Sequence, residues 1–189
     1  MDPGVAAPLF FGSRKLSRWL EKFLLSKADL VLSISGYIGD YALRQGASLN
    51  QVRIFRHFID PMFLNPPVGC DKASPPIISV VSRLSRQKYI FDLLQIATIL
   101  KDMDVDFQIE VAGDGESRGS LEKRIEDLDL KESVVLLGFQ NRQEVSDLFE
   151  RSAASLVLCG GASLLEASAK AVPSVAYDWE WHSEIVETG

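Results

Sequence analysis

Three basic residues follow a short apolar run near the middle of the chain. The run, Ile77 to Ser82, continues directly into a loop that contains Arg83, Arg86 and Lys88. An arginine donates paired hydrogen bonds to phosphate oxygens, and a lysine supplies a compact positive charge. Arg83 and Lys88 could therefore neutralise a pyrophosphate, while a solvated basic loop explains the same spacing equally well.

A second candidate site lies in the stretch from Leu156 to Asp178. An apolar run, a turn with two glycines, a small-residue segment and a second apolar run after Pro173 predict strand, turn, helix and strand. The backbone N–H groups of Ser163 and Leu164, at the helix start, could bind a diphosphate. Glu166 is expected in the first helical turn, where it could bind ribose hydroxyls or only interact favourably with the helix dipole.

Three weaker candidates for ligand contact also follow predicted strands. Two of them follow the strands between these two sites, and the third follows the last strand of the chain. Gly113, in the segment AGDG, would permit close approach of a ligand, but a tight strand-to-helix turn needs the same residue. Phe139 could face a nucleotide base, although an aromatic residue in this position more often packs within the fold. His182 could act as a base or contact a sugar, but a single histidine at a helix start is more often structural. No residue is identified as catalytic.

Alternating strand and helix patterns are expected to position these residues. Helical spacing of apolar residues fills the intervals between the predicted strands. The strands are expected at Ile77 to Ser82, Phe107 to Ala112, Val134 to Leu137, Leu156 to Leu158 and Ser174 to Tyr177. Such alternation favours an α/β fold, a Rossmann-like parallel sheet flanked by helices, in which ligands bind beyond the carboxyl ends of the strands.

The amino-terminal part of the chain predicts elements of another α/β unit. An apolar stripe from Leu16 to Leu24 with basic flanks predicts a helix that packs on its own core or, less favoured, makes a peripheral membrane contact. Strands are expected at Ala28 to Ile34 and Val52 to Phe55. Between them, Ser35 is expected to cap a helix that runs from about Gly36 to Gln45.

Proline content suggests how these parts are divided. Residues 61–76 contain five of the eight prolines in the chain and predict an irregular linker. Residues 1–60 then form one part of the protein. Residues 77–189 form another part.

Composition excludes several classes of protein. The net charge of −6 and a pI near 5.0 argue against binding of duplex nucleic acid, whose affinity comes mostly from lysine and arginine. The two cysteines, Cys70 and Cys159, show neither metal-ligand spacing nor a disulfide framework, so that no metal site is expected and a reducing cytoplasm fits best. No signal peptide and no apolar run of about 18 residues is present in the sequence.

Four blocks occur in a characteristic order: SRLSRQK at 82–88, FQIEVAGDG at 107–115, VVLLGF at 134–139 and SLLEASAKAVPSVAYD at 163–178. In this order they resemble the carboxy-terminal half of the retaining glycosyltransferases of family four, a sugar-nucleotide-dependent group with two Rossmann-like domains, the GT-B fold. The upstream segments ADLVLSIS and VRIFRHFID resemble the end of the family's amino-terminal domain. The resemblance therefore implies that residues 1–60 are a remnant of that domain. It also implies that residues 77–189 are the donor-nucleotide-binding domain, truncated at its end.

The resemblance implies transfer of a hexosyl group from a nucleoside diphosphate sugar to a saccharide or lipid-linked acceptor, with retention and without an obligatory metal or other cofactor. It implies that Arg83 and Lys88 hold the donor diphosphate. The region around Phe139 would face the base, and Glu166 would bind the ribose.

Some positions depart from the family pattern. Leu158 stands where the family usually has a glutamate near the donor sugar, the loop from Cys159 to Glu166 is shorter than usual, and Tyr89 replaces a usual glycine. With most of the family's amino-terminal domain missing from the sequence, we expect a fragment with impaired activity. The alternative is a non-catalytic nucleotide-binding or scaffold protein. An epimerase or phosphorylase of the same architecture has no specific residue in its favour.

Overall fold

The computed structural model describes residues 14–56, 58–65, 73–159, 161–178 and 181–186. Contacts within the chain divide it into two units. The first takes in residues up to Phe58 together with those from Asp178 onward, and the second spans Ile59–Tyr177. The division into an amino-terminal remnant at 1–60, a linker at 61–76 and a nucleotide-binding domain at 77–189 stays a prediction.

The first unit contains a two-stranded parallel sheet with helices. Its elements are α1 (Arg14–Lys27), β1 (Val31–Ser33), α2 (Gly36–Arg44) and β2 (Val52–Ile54). Ser35 caps α2 as predicted, because its hydroxyl oxygen accepts a hydrogen bond from the Ile38 N–H group at 3.1 Å. Glu184, in a turn of 3₁₀ helix at His182–Glu184, accepts from the N–H groups of Gly36 and Tyr37 at the start of α2.

The apolar stripe of α1 is exposed. Leu16, Trp19, Phe23 and Leu24 all lie at the surface, and Trp19 is 62% exposed. The prediction that this stripe packs on its own core is therefore wrong. On the covered side of α1, Ser17 is buried and Leu20, Glu21 and Leu25 are half-buried. No helix in the described part of the chain is long and apolar enough to cross a membrane.

The second unit contains a five-stranded parallel sheet. Its strands are β3 (Ile77–Val81), β4 (Gln108–Ala112), β5 (Val134–Gly138), β6 (Ser152–Val157) and β7 (Ser174–Ala176). They are hydrogen-bonded in the order β5-β4-β3-β6-β7. The predicted α/β fold with a parallel sheet is confirmed. Only β6 is clearly displaced from its prediction, because its first residues are serine and alanine rather than large apolar side chains.

Four helices connect these strands. They are α3 (Asp92–Asp102), α4 (Arg118–Asp127), α5 (Arg142–Arg151) and α6 (Ala162–Ala169). Each buries an apolar face, such as Leu93, Leu94 and Ala97 of α3, which belong to the main core together with Val80 and Ile109 of the sheet. Because each helix connects two parallel strands, its amino-terminal end lies toward the carboxyl edge of the sheet.

The predicted linker contains one regular turn. Pro61–Phe63 form a 3₁₀ helix, capped by the Asp60 carboxylate, which accepts a hydrogen bond from the Met62 N–H group at 3.1 Å. Phe63 is buried and packs edge-on against Phe149 of α5, with ring centroids 6.3 Å apart. The prediction of irregular structure is therefore wrong at this turn. Residues 66–72 of the predicted linker lie outside the described residues.

Candidate functional site

A cleft of about 400 Å³ lies beyond the carboxyl ends of β3, β4, β5 and β6 in the second unit. The predicted site residues that line it are Arg83, Lys88, Gly113, Phe139, Ser163 and Glu166. This is the edge at which ligands bind to open α/β sheets. The structure therefore brings residues from four separate segments together around one cavity.

The basic side of the cleft follows β3. Arg83 is exposed, and Lys88 ends a turn of 3₁₀ helix at Arg86–Lys88. The Lys88 Nζ atom lies 3.8 Å from the Cys159 Sγ atom, which holds the ammonium group beside the end of β6. Two cations at one wall of a cleft match the charge of a diphosphate.

Gly113 fixes the path of the chain after β4, between the basic loop after β3 and the turn after β5. Its φ is +147°, and a Cβ atom placed on it would overlap the carbonyl oxygen of Ser82. Its N–H group donates to the carbonyl oxygen of Gly138 at 2.8 Å. Packing alone therefore requires a glycine here, and Gly113 also lines the cleft.

The amino-terminal end of α6 forms the opposite wall. Because α6 begins at Ala162, the N–H groups of Ser163 and Leu164 belong to its first turn and have no acceptor within the helix. Ser163 lines the cleft, whereas the side chain of Leu164 is fully buried in the fold. Only the backbone of Leu164 could therefore serve a ligand.

Glu166 is half-buried in the cleft and lies beyond the first turn of α6. The prediction that it lies in the first turn is wrong, and the helix dipole falls off within that turn. Burial raises the pKa of its carboxyl group; the positive charge of Arg142 opposes this shift, and the negative charge of Asp60 adds to it. Arg142 and Asp60 themselves form an ion pair of 2.6 Å. Glu166 is thus a partly desolvated carboxylate, suited to accept hydrogen bonds from ligand hydroxyls.

The raised pKa of Glu166 predicts a pH dependence of stability. The folded chain binds this proton more tightly than the unfolded chain, whose glutamate has the ordinary value of 4.5. The contribution of Glu166 to the free energy of unfolding should therefore be fully present below that value and be lost as pH rises through the higher folded pKa. We expect Glu166→Gln to remove this loss, so that the variant gains stability relative to the wild type as pH rises.

Thermal unfolding midpoints recorded from about pH 4 to about pH 8 would check this expectation. Glu132→Gln is the matched control, because Glu132 is exposed and lies outside the cleft. A Glu166→Gln curve parallel to that of the wild type would contradict the expectation.

Phe139 stands at the mouth of the cleft. It is 80% exposed and directly follows Gly138, whose φ of +76° turns the chain at the end of β5. The side-chain amide of Gln140 donates hydrogen bonds to the carbonyl oxygens of Leu137 and Phe139, at 3.2 and 3.0 Å, and so holds this turn. A ring exposed in this way can pack on a planar ligand group.

Two positions considered from the sequence lie elsewhere. Leu158 is buried in the main apolar core. His182 belongs to the first unit, where it is buried with its ring edge-on to Trp181 at 5.2 Å, in agreement with a structural role. Within the described ranges, no group of three or more histidine, cysteine, aspartate or glutamate side chains could hold a metal ion.

Sequence reasoning missed the ion pair beside Glu166. Arg142 is the first residue of α5, and Asp60 caps the turn before the proline-rich segment, 82 residues earlier. No local pattern links residues so far apart. The only local signal was the Asp60-Pro61 pair, which is typical of a capped turn.

Comparisons with known proteins identify the family of this chain. The model of the family "Glycosyl transferases group 1" matches residues 70–189. An alpha-D-kanosaminyltransferase of Streptomyces kanamyceticus is 25% identical over 92% of this chain and 49% of its own length. The amylovoran biosynthesis glycosyltransferase AmsK of Erwinia amylovora is 25% identical over 87% of this chain and 43% of its own length. The chain thus spans less than half the length of these two relatives.

Solved structures show the same fold. Anabaena Alr3699/HepE, in complex with UDP and glucose, superposes with a TM-score of 0.80 at 18% identity, over 94% of this chain and 52% of that one. A mutant of S. aureus TarM, in complex with Fondaparinux, alpha-GlcNAc-glycerol and UDP, superposes with a TM-score of 0.79 at 21% identity, over 92% of this chain and 35% of that one. Because the family model covers most of the chain, this protein belongs to the group 1 glycosyl transferases.

Proposed function

We propose that this chain is the donor-binding half of a retaining glycosyltransferase of family four, which transfers a hexosyl group from a nucleoside diphosphate sugar. The observation that carries the proposal is the cleft, where Arg83 and Lys88 face the first turn of α6 across a space of about 400 Å³. Cations and helix-end N–H groups are what a diphosphate leaving group needs as its negative charge develops.

The remaining cleft residues support this assignment. Glu166 presents a partly buried carboxylate that can accept bonds from two ribose hydroxyls, and Phe139 presents an exposed ring for the base. HepE and TarM were solved with UDP, so we propose a uridine diphosphate sugar as the first donor to test. We propose no metal or other cofactor, because the cleft cations can balance the diphosphate charge.

We further propose that the chain alone transfers sugar poorly. Leu158, which stands where family four usually has a glutamate, is buried in the main apolar core and offers no polar group to a donor sugar. The same observation supports a second candidate function, a nucleotide-binding protein without catalysis. Sugar turnover by the purified chain that Glu166→Ala abolishes would decide against this second candidate.

The acceptor and the cellular location are also proposals. TarM was solved with saccharide ligands, which supports a saccharide or lipid-linked saccharide as acceptor. The exposed stripe of α1, next to Lys15, Arg18 and Lys22, supports a peripheral membrane contact from the cytoplasmic side.

Titration calorimetry with UDP-glucose, UDP-N-acetylglucosamine and GDP-mannose tests donor binding. We expect saturable binding of at least one donor, weakened about tenfold by Arg83→Ala or by Lys88→Ala, because each variant removes a charge-assisted contact to the diphosphate. Arg86→Ala is the matched control, since Arg86 is an exposed cation in the same turn that does not line the cleft.

Absence of binding by all three donors would overturn the proposed function. Equal losses in Arg86→Ala and Lys88→Ala would also count against it, because the effect would then reflect net charge and not contact with the diphosphate.

A further inference from the structure

Two tyrosines meet beside the cleft and are not explained by donor binding. Tyr89 follows Lys88, and Tyr177 follows β7. Their rings are edge-on, with centroids 6.3 Å apart at an angle of 79°, and the residues are 40% and 43% exposed. Aromatic rings of this size are usually more deeply covered when their role is to fill a core.

The backbone of Tyr89 adds a second observation. Its φ is +53°, in the left-handed region that favours glycine. A bulky residue in this region costs free energy, and such residues concentrate at ligand sites. Tyr89 therefore keeps a large side chain at the end of the Arg86–Lys88 turn despite the strain of its backbone.

Asp92, the first residue of α3, ties the two tyrosines together. Its N–H group donates to the carbonyl oxygen of Tyr89 at 2.9 Å, and its Oδ2 atom accepts from the Tyr177 hydroxyl at 2.8 Å. A carboxylate has about four acceptor positions, so that the single bond from Tyr177 leaves it capacity to accept hydrogen bonds from hydroxyl groups of a ligand. The hydrogen bond to Asp92 is also the main reason that the pKa of Tyr177 is raised, and the phenol keeps its proton at neutral pH.

The order of the strands places this group next to the cleft. Strand β6 lies between β3 and β7. A contact between Tyr89, beyond β3, and Tyr177, beyond β7, therefore spans the carboxyl edge of β6. Cys159 and Gly161, in the loop after β6, line the cleft. Lys88, the residue before Tyr89, lines the cleft as well, so that the tyrosine pair borders the cleft.

We propose that Tyr89, Asp92 and Tyr177 form a pyranose-binding subsite. A pyranose ring carries an apolar face of C–H groups, which packs on an aromatic ring. It also carries hydroxyl groups, which donate hydrogen bonds to a carboxylate. The subsite rests on the proposed function, because the pyranose is then either the sugar of the donor or a sugar of the acceptor. Both sources present the same chemistry to the three side chains.

Calorimetric titrations with UDP, UDP-glucose, GDP, GDP-mannose and maltotriose distinguish these sources. For each nucleotide, the gain from the attached sugar is the ratio of the two dissociation constants. We expect Tyr89→Gly to reduce either this gain or the affinity for maltotriose about threefold or more, while the affinity for the free nucleotide stays the same. Tyr89→Gly should fold, because glycine relieves the left-handed strain.

Tyr177→Phe separates the ring from its hydroxyl. It keeps the aromatic surface but removes the donor to Asp92, so that we expect a smaller loss than for Tyr177→Ala. Tyr37→Phe, in the first unit, is the control for removal of a phenol hydroxyl.

The outcomes separate the two proposals. Loss of the nucleotide-sugar gain assigns the subsite to the donor, and loss of maltotriose binding assigns it to the acceptor. Maltotriose binding that depends on Tyr89, without binding of any nucleotide, would overturn the proposed function and leave the subsite standing. Unchanged ratios and unchanged maltotriose affinity in Tyr89→Gly and Tyr177→Ala, or no sugar contribution in the wild type, would overturn the subsite.

Discussion

Replacing Gly113 with alanine is expected to lower the free energy of unfolding by about 3 kcal/mol or more. The methyl group would overlap the carbonyl oxygen of Ser82, and the φ of +147° is one that only glycine adopts readily. Relief requires the segment after β3 to move away from the end of β4, and that movement disrupts the hydrogen bond of 3.1 Å from the Ser82 N–H group to the Ala112 carbonyl oxygen. Urea denaturation followed by circular dichroism would measure the loss.

Gly119→Ala is the matched control for this substitution. Gly119 lies in α4, where a Cβ atom would meet nothing within 4 Å. Alanine should therefore stabilise the chain by about 0.5 to 1 kcal/mol through its higher helix propensity. Similar effects of the two substitutions would contradict the packing role of Gly113.

Gly113→Ala should also weaken donor binding in whatever fraction stays folded. Gly113 separates the basic loop with Arg83 from the turn with Phe139, and all three residues line the cleft. A shift of the loop by a few tenths of an ångström changes the distance between cation and phosphate. The structure thus supports the packing role of Gly113 in the AGDG segment, and its contact with a ligand stays a prediction.

Most of the sheet could be predicted from the sequence, because its signals are local. Continuous apolar runs marked β3, β4 and β5 to within a residue or two, since strands buried on both faces need no polar alternation. The position of Arg83 at the ligand edge followed from the end of its strand. Ser35 was placed at a helix start by residue type alone.

Contacts between distant segments could not be predicted. The Arg142–Asp60 pair spans 82 residues, and the Tyr177–Asp92 hydrogen bond spans 85. Each depends on which strands become neighbours, and residue spacing does not specify that. The strand order β5-β4-β3-β6-β7 supplies this information, because it separates β3 from β7 by β6 alone. The segments that follow β3 and β7 can therefore meet, as Asp92 and Tyr177 do.

The prediction for the apolar face of α1 was wrong for a different reason. Helical periodicity predicts that Trp19 and Phe23 share a face, and they do, with rings stacked 5.8 Å apart. Periodicity does not say what covers that face. The prediction of a buried face rested on the general tendency of aromatic residues to be buried, and Trp19, which is exposed, does not follow that tendency.

Glu150→Ala is expected to lower the free energy of unfolding by about 2 kcal/mol, because it leaves the buried ammonium group of Lys170 without its ion-pair partner. Lys170 is only 3% exposed, and its Nζ atom donates to the Glu150 carboxylate at 2.7 Å and to the carbonyl oxygen of Asn65 at 3.2 Å. Lys170 follows α6 as its carboxyl-terminal cap, and its N–H group donates to the carbonyl oxygen of Glu166 at 3.1 Å.

Two controls distinguish a buried ion pair from a general effect of removing charge. Glu122→Ala breaks an exposed pair with Arg118 and should cost less than about 0.5 kcal/mol. The double variant Glu150→Leu with Lys170→Met replaces both buried charges by apolar groups and should recover most of the stability lost in Glu150→Ala, since no charge is left without a partner. Urea denaturation of the four proteins would decide: a double variant less stable than Glu150→Ala would mean that Lys170 holds α6 through Asn65 and not through the ion pair.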